Sequence, residues 1–133
     1  MSKALFKNYR QSPRKVRLVT NSVKGQTVPQ ALLTLSFLPK RAALSVKKSV
    51  ESAAANAKTT LGVEREGLYI KDIRVDGGAV LKRSMPRARG SAFMIHKRTS
   101  HIKVVLDRIE SKPPRKLSRA KARKIKAGVI TVK

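Results

Sequence analysis

Apolar residues recur along the chain at two spacings, one typical of helices and one typical of strands. In the first half of the chain they lie three or four positions apart, which is the spacing of a single helix face. The segments with this spacing are residues 12–25, 27–39 and 39–62. Ser12 followed by Pro13 favours a helix start, and glycines at the ends of two segments favour helix stops. We therefore predict three helices.

The second half of the chain alternates apolar and polar residues instead, which predicts strands. The alternation covers residues 67–76 and resumes over residues 101–107. Between them, residues 86–90 read Pro-Arg-Ala-Arg-Gly, with a turn former at each margin. We predict a long hairpin with its tip there, whose arm of about a dozen residues would reach roughly 35–40 Å at ~3.3 Å per residue. Residues 4–10 are a candidate for a third, short strand.

A shorter hairpin is the alternative interpretation of the same segment. Gly77 and Gly78 can form a tight two-residue turn, which would pair residues 70–76 with residues 79–83. The basic tip would then be only a surface loop. The alternation on both sides favours the long arm.

The apolar faces of the second and third helices predict the core. In the second helix the apolar stripe comprises Leu32, Leu33, Leu35, Phe37 and Leu38, and we assign its leucines to the core. In the third helix the face is built mainly from small residues: Ala43, Val46, Val50, Ala53, Ala54, Ala57 and Leu61. Such a face can lie close against a sheet or another helix. Asn56 lies beside it, where we expect a hydrogen bond to the backbone or to a partner.

Charge sets the class of partner. The 133 residues carry a net charge of +25, and the first 50 residues contain eleven Lys or Arg and no carboxylate. Residues 51–78 are nearly balanced, whereas residues 79–108 and 109–133 are again strongly basic. A polyanion explains three basic zones, and nucleic acid is the leading candidate because phosphate contacts release counterions. An anionic membrane surface is a weaker one, because no segment joins a basic face to a Trp- or Phe-rich face.

Catalytic and metal chemistry find little support in the sequence. The chain has no cysteine, and its seven carboxylates are scattered. His96 and His101 are five residues apart, which places them on opposite faces of one strand and argues against a shared metal site. We expect no enzyme activity and no cofactor. The apolar runs are too short to span a bilayer, and residues 1–10 lack the apolar region of a signal peptide.

Basic residues outside the balanced segment are the candidate nucleic-acid contacts. In the first turns of the first helix, Arg14, Lys15 and Arg17 oppose the helix dipole unless phosphates neutralise them; the alternative is three solvated charges. The arm adds Lys82, Arg83, Arg87, Arg89, Lys97 and Arg98, with no carboxylate between Gly77 and Arg98. Beyond the double proline at 113–114, the tail lacks apolar surface for its own core, so we predict disorder, with a helix over residues 118–126 on an anionic partner.

Five short segments resemble the large-subunit ribosomal protein L-twenty-two family, in matching order and spacing. They read SPRKVR at residues 12–17, AAANA at 53–57, LKR at 81–83, MPRARG at 85–90 and KRTSHI at 97–102. The resemblance covers about residues 3–108. It implies an α+β fold with three helices packed on a small three-stranded antiparallel sheet and a long protruding β-hairpin. The domain would span residues 1–110, with the arm at about residues 77–101, and the basic extension 111–133 departs from the family pattern.

The same resemblance implies a structural constituent of the large ribosomal subunit that binds large-subunit rRNA (23S class) and supports assembly. Its hairpin would line the nascent-peptide exit tunnel. The implied rRNA contacts are Ser12, Arg14, Lys15, Arg17, Lys82, Arg83, Arg87, Arg89, Lys97, Arg98, Thr99, Ser100 and His101. The implied tunnel-lining residues at the tip are Met85, Arg87, Ala88 and Arg89. Neighbouring ribosomal proteins and the nascent peptide would be partners, without a membrane or homo-oligomer, in the cytoplasmic ribosome of a bacterium or, alternatively, in an organelle.

Two other functions compete with this interpretation. An architectural DNA-binding protein could use a proline-tipped basic ribbon, although it would need a self-complementary dimer core that the modest apolar stripes do not suggest. An RNA-acting enzyme could use His96 or His101, although the scattered carboxylates and absent cysteine argue against it.

Overall fold

A three-stranded antiparallel sheet organises residues 1–111, the part of the chain that the computed structural model describes. The strands are β1 (Ser2–Tyr9), β2 (Leu68–Pro86) and β3 (Ala92–Arg108), with β3 in the centre. The helices α1 (Pro13–Val23), α2 (Val28–Phe37) and α3 (Arg41–Leu61) all lie between β1 and β2 in the chain. The predicted α+β architecture, including its third strand at the N-terminus, is confirmed.

The helix boundaries follow the local sequence signals. Helix α1 begins at Pro13, directly after Ser12, although the Ser12 side chain makes no capping hydrogen bond. Helix α3 ends where Gly62 adopts a left-handed backbone with φ of 63°, and the Gly62 N–H donates to the carbonyl of Lys58 at 3.1 Å. Gly25 also takes a positive φ, 78°, two residues after α1. Glycine lacks the Cβ that makes this conformation costly, so the two glycines allowed the ends of α1 and α3 to be predicted from the sequence.

The core lies between α3 and the sheet. The predicted small-residue face of α3 is confirmed, since Val46, Val50, Ala53 and Ala57 are fully buried and Leu61 is partly buried. Small side chains let the helix approach the strands closely. The facing strand residues that are fully buried include Ile70, Ile102, Val104 and Leu106.

Two side-chain hydrogen bonds also connect helix α3 to β1. The Asn56 side-chain amide donates to the carbonyl of Lys3 at 3.0 Å, and the Ser2 hydroxyl donates to the carbonyl of Ala53 at 2.9 Å. The expected hydrogen bond of Asn56 is therefore one to the backbone. It occupies a carbonyl of β1, which is an edge strand of the sheet.

The prediction that the leucines of the apolar stripe of α2 belong to the core was wrong for Leu33, and Phe37 on the same predicted stripe is exposed as well. Leu33 and Phe37 are 61% and 78% exposed. The buried stripe of α2 is instead Val28, Ala31 and Leu35, spaced three and four residues apart. Two positions along a helix correspond to a rotation of about 200° at 3.6 residues per turn, so Leu33 and Phe37 point away from Leu35.

The long hairpin is present, and the shorter alternative was wrong. Strands β2 and β3 stay paired out to Pro86 opposite Ala92, and a single helical turn, Ala88–Gly90, closes the tip. Gly77 and Gly78 lie inside β2. The tip reverses direction because Arg89 and Gly90 both take positive φ, 57° and 71°.

Both outer strands are irregular where the arm, about residues 77–101, leaves the body, by which we mean the three helices and the rest of the sheet. The register shifts between Phe6 and Tyr9 on β1, and between Gly77 and Val80 on β2, against neighbouring residues of β3. Such bulges bend a strand and change its twist. Asn8 takes a positive φ of 56° there, and its N–H donates to Nδ1 of His101 at 3.0 Å.

The predicted basic extension reaches beyond the described residues. The structure ends in a short helical turn, Ile109–Ser111, so the predicted helix over residues 118–126 and the domain boundary at residue 110 stay predictions. Within residues 1–111, no helix has both the length and the apolar character that crossing a bilayer requires.

Candidate nucleic-acid interface

A basic cleft of about 660 Å³ lies between the body and the root of the arm. We call it the junction cleft. Its body side is formed by Arg10, Gln11, Ser12, Lys15 and Arg41. Its arm side is formed by Leu81, Arg83, His96, Lys97, Arg98 and Thr99. Six of these eleven residues are Lys or Arg, and none is a carboxylate.

The chain path explains why the body side is basic. Strand β1 ends at Tyr9 and α1 begins at Pro13, so only three residues connect them, with Arg10 in this connection and Lys15 in the first turn of α1. Helix α3 begins at Arg41, and the Tyr9 hydroxyl donates to the Arg41 carbonyl at 3.3 Å, which holds the start of α3 beside the end of β1. The junction cleft therefore receives the N-terminal ends of two helices.

Helix N-termini present unpaired N–H groups and a positive partial charge, which favour anions. Neither α1 nor α3 has an acidic residue in its first turn, and each carries Lys or Arg there instead. Cations at these positions are unfavourable in isolation. A phosphate in the junction cleft would reverse the sign of that interaction.

Three carboxylates of the described chain form ion pairs outside the junction cleft. Asp72 pairs with Lys24 at 2.8 Å and with Arg74 at 2.6 Å, and Asp107 pairs with Lys71 at 2.8 Å. The hydrogen bond from Lys24 holds the pKa of the Asp72 carboxyl below its ordinary value, although burial opposes this. None of the ion pairs found within residues 1–111 involves a residue of the junction cleft. Its cations are therefore uncompensated by those pairs.

The arm extends the same charge away from the body. Arg83, Lys97 and Arg98 belong to the junction cleft, whereas Lys82, Arg87 and Arg89 lie exposed along the arm and at the tip. The tip residues Met85 and Ala88 are exposed as well. The arm has no carboxylate, so it offers a continuous surface for a polyanion from its root to its end.

The structure brings together about half of the candidate contacts. Those that line the junction cleft are Ser12, Lys15, Arg83, Lys97, Arg98 and Thr99. Arg14 is exposed but lies outside it. Arg17 is exposed, but its guanidinium is bound within the protein: it donates to the carbonyl of Val75 through Nε at 3.2 Å and Nη2 at 2.8 Å.

The KRTSHI segment divides between surface and interior. Ser100 is fully buried at the junction of the sheet and the arm, so its side chain is not presented to an external partner. Thr99 is 6% exposed, and its hydroxyl donates to the carbonyl of Ala79 at 2.7 Å. Nδ1 of the His101 ring accepts the hydrogen bond that the Asn8 N–H donates. These three residues shape the base of the arm, and we drop Ser100 from the contact set.

Sequence reasoning missed Arg10, Arg41 and His96, which all line the junction cleft. Each is a single basic or polar residue without a local motif. Only the fold brings the end of β1, the start of α3 and the root of the arm together. Arg41 carried one usable signal, because a cation at a helix start opposes the dipole in the same way as Arg14 and Lys15 do.

Metal binding finds no support in the described part of the chain. Residues 1–111 contain no group of three or more His, Asp or Glu side chains that could hold a metal ion. His96 lines the junction cleft, whereas His101 accepts a hydrogen bond from the backbone of β1.

Comparison with known proteins decides the family. Residues 4–107 match the family described as Ribosomal protein L22p/L17e, and this range runs from within β1 to the last residue but one of β3. The chain belongs to this family. The L22p/L17e proteins are structural components rather than enzymes, so the expected absence of enzyme activity follows from membership.

Several bacterial members of the L22p/L17e family share about half of their residues with this chain. The large ribosomal subunit protein uL22 of Herpetosiphon aurantiacus is 48% identical over 106 residues, which are 80% of this chain and 94% of the relative. The protein of the same name from Desulfotalea psychrophila is 50% identical over 106 residues, 80% and 96% of the two lengths. That of Campylobacter fetus is 47% identical over 112 residues, 84% and 98%.

Proposed function

We propose that this protein is a structural constituent of the large ribosomal subunit that binds large-subunit rRNA and supports subunit assembly. The junction cleft carries this proposal. It joins six cations from the body and the arm, has no carboxylate in its lining, and receives two helix N-termini. Phosphate contacts of this kind fix the position and orientation of a protein on nucleic acid. The relatives named above are large-subunit proteins of bacteria, so the cytoplasmic ribosome is the expected location.

The RNA backbone would enter the junction cleft between Lys15 and Arg41 on the body and Arg83, Lys97 and Arg98 on the arm. A phosphodiester there contacts both parts of the protein at once. It therefore fixes the direction in which the arm leaves the body. Lys82, Arg87 and Arg89 would continue the contacts along the arm.

The arm itself would line the nascent-peptide exit tunnel with its tip. The nine residues of β2 from Gly78 to Pro86 reach about 30 Å at ~3.3 Å per residue, which is long enough to pass through a layer of folded RNA. The exposed tip residues Met85, Arg87, Ala88 and Arg89 would border the tunnel. Neighbouring large-subunit proteins and the nascent peptide are the corresponding partners.

Binding of the purified protein to large-subunit rRNA, measured at fixed salt against small-subunit rRNA and duplex DNA, tests the proposal. We expect the strongest binding to large-subunit rRNA. Arg41→Gln should weaken it more than Lys48→Gln, which removes the same charge from an exposed position of the same helix outside the junction cleft. Equal affinity for all three nucleic acids would contradict rRNA recognition.

Deletion of residues 84–91 separates the two parts of the interface. We expect the shortened protein still to bind large-subunit rRNA through the junction cleft, with a loss of affinity limited to the contacts of the tip. Subunits assembled with it should show altered tunnel-dependent behaviour, such as changed stalling of a regulatory nascent peptide. Complete loss of rRNA binding would show that the tip, and not the junction cleft, is the anchor.

A further inference from the structure

Apolar side chains face solvent near the tip of the arm. Phe93 is 59% exposed, and Met85, which lies directly opposite on the neighbouring strand, is 43% exposed. A two-stranded ribbon has no layer beneath it to cover such residues. Phe93 is also the only aromatic residue of the arm, in a chain with three Phe, two Tyr and no Trp. An exposed aromatic ring at the end of a charged arm is a candidate binding site for another molecule.

Arg87 is held beside this ring. Its guanidinium carbon lies 5.7 Å from the centroid of the Phe93 ring, within the range of a cation–π contact. The turn at the tip sets up this contact, because the Arg87 N–H donates to the carbonyl of Ser91 at 2.8 Å and so ties the two strands together beside it. The result is a pair of planar groups, one aromatic and one cationic, with much of the ring still open.

We propose that Phe93 and Arg87 form a stacking platform for one unpaired nucleobase of large-subunit rRNA. This inference rests on the proposed rRNA-binding function and adds a base contact to its phosphate contacts. Every nucleobase has a π-face, so stacking on an aromatic ring binds RNA without requiring a particular sequence. The platform would contact RNA near the far end of the arm, about 10–20 Å beyond the β3 residues His96–Thr99 that line the junction cleft, at ~3.3 Å per residue.

The charges around the ring favour a nucleobase over an apolar peptide. Arg83, Arg87 and Arg89 surround this end of the arm, and no carboxylate occurs between Gly77 and Leu106. A nucleobase always arrives with phosphates on both sides, so it satisfies the ring and the cations together. An apolar peptide would cover the ring but leave the cations without counter-charge.

Substitutions of Phe93 test the platform in the full-length protein with a transcript of large-subunit rRNA. Phe93→Ala should lower the affinity by roughly tenfold, because the loss of one stacked base typically costs about five- to one-hundred-fold. Phe93→Tyr should bind like the wild type, and Phe93→Leu, which keeps apolar area without a π-face, should bind like Phe93→Ala. Met94→Ala is the matched control, since its side chain is 51% exposed on the next residue. It should bind within about twofold of the wild type.

Salt dependence and chemical probing distinguish stacking from a phosphate contact and from a disturbed fold. Stacking releases no counterion, so Phe93→Ala should leave the slope of log affinity against log salt unchanged, whereas Arg87→Gln should reduce it by about one. Phe93→Ala should also make one protected nucleotide reactive to a base-modifying reagent, while Phe93→Tyr keeps it protected. All variants are at exposed sites, and their thermal melting checks that the fold is intact.

Each outcome has a defined meaning. If Phe93→Leu binds like the wild type, the contact is only apolar and the platform is overturned. If Phe93→Ala binds and protects the RNA like the wild type, the ring does not contact RNA and the inference fails while rRNA binding stands. If the wild-type protein does not prefer large-subunit rRNA, the proposed function fails and the inference fails with it.

Discussion

At the scale of single residues, Gly78 is a glycine of β2 with no room for a side chain. A Cβ added at Gly78 would lie 2.5 Å from Oγ1 of Thr99 and 3.0 Å from Cε1 of His101. Neither neighbour is free to move, because the Thr99 hydroxyl donates to the Ala79 carbonyl and the His101 ring accepts the Asn8 N–H. At Gly77 an added Cβ would meet nothing within 4 Å. Of two adjacent glycines, only Gly78 is required by close approach.

Gly78→Ala is therefore expected to reduce the free energy of unfolding by about 1–3 kcal/mol, the usual cost of overpacking. Gly77→Ala is the matched control and should change it by no more than about 0.5 kcal/mol, as at an unconstrained surface site. Urea denaturation of the free protein, followed by circular dichroism, measures both. Similar losses for the two variants would contradict the steric argument.

A second residue-scale feature is the carboxylate of Asp107. It pairs with Lys71 across the sheet at 2.8 Å and also accepts from the Arg108 N–H at 3.1 Å. The hydrogen bond from Lys71 holds the pKa of Asp107 below its ordinary value of 3.8, against the opposing effect of burial. The same pair raises the pKa of Lys71 above its ordinary value.

The sign of the pH dependence follows from the lowered pKa of Asp107. A carboxyl that is more acidic in the folded state stabilises the fold fully above its unfolded pKa, and this stabilisation is lost as pH falls through the folded pKa. Wild-type protein should therefore melt at a higher temperature than Asp107→Asn at pH 7. The difference should shrink as the pH falls below about 3.8. A difference that stays constant from pH 7 to pH 2 would show that the charge of Asp107 does not matter.

At the scale of elements, β2 and β3 each run through two different environments. Near the body they are covered by helices, and Arg17 of α1 donates to the β2 carbonyl of Val75. Beyond Val80 and Arg98 they form an uncovered ribbon whose side chains are nearly all exposed. The same two strands therefore differ in stability along their length.

Hydrogen exchange should reveal this difference in the free protein. We expect backbone amides of residues 81–96 to exchange at least roughly tenfold faster than those of residues 102–107, because a lone ribbon is marginal in water. Adding large-subunit rRNA should slow exchange in the arm, since the RNA would then cover it. Mass spectrometry of peptides from the two segments provides the comparison. Equal protection in the free protein would show that the arm is rigid by itself.

The elements also show how far the sequence could be interpreted. Alternation predicted the strands of the long hairpin, and small residues at helical spacing predicted the buried face of α3. The amphipathic pattern predicted too wide a buried face for α2, because Leu33 and Phe37 are apolar but lie on its uncovered side. Periodicity gives the face of a helix, whereas which neighbours cover that face is decided by packing over long sequence distances.

The candidate site was predictable in charge but not in shape. Lys15 and Lys97 were both candidates, yet nothing local shows that residues this far apart line one cleft. The bulges of β1 and β2 include Asn8 and Gly78, whose roles depend on contacts with His101 and Thr99 far along the chain. For the same reason, Ser100 looked like a contact in its motif and is instead buried.

At the scale of the whole molecule, positive and negative charges are separated. The ion pairs of Asp72, Asp107 and Glu64 lie outside the junction cleft, which holds six Lys or Arg from both sides. Like charges held together destabilise a compact state. The free protein therefore carries an electrostatic cost at the same place where it would bind RNA.

This separation predicts opposite effects of one substitution on stability and on binding. Lys15→Gln and Lys97→Gln each relieve repulsion in the junction cleft. At low salt each should therefore raise the free energy of unfolding of the free protein by about a few tenths of a kcal/mol, and its melting temperature slightly. The gain should vanish in ~1 M salt, where the screening length is only about 3 Å. Both variants should bind large-subunit rRNA more weakly and with a shallower salt dependence.

Combining the two substitutions tests whether they serve one ligand. If Lys15 and Lys97 contact the same phosphate, the double variant should lose less affinity than the sum of the single losses, because the second substitution removes an interaction already weakened. Lys48→Gln, outside the junction cleft, should combine additively with Lys97→Gln. Strict additivity for both pairs would mean that the body and the arm bind RNA independently. Such a result would remove the junction cleft's proposed role in fixing the direction of the arm.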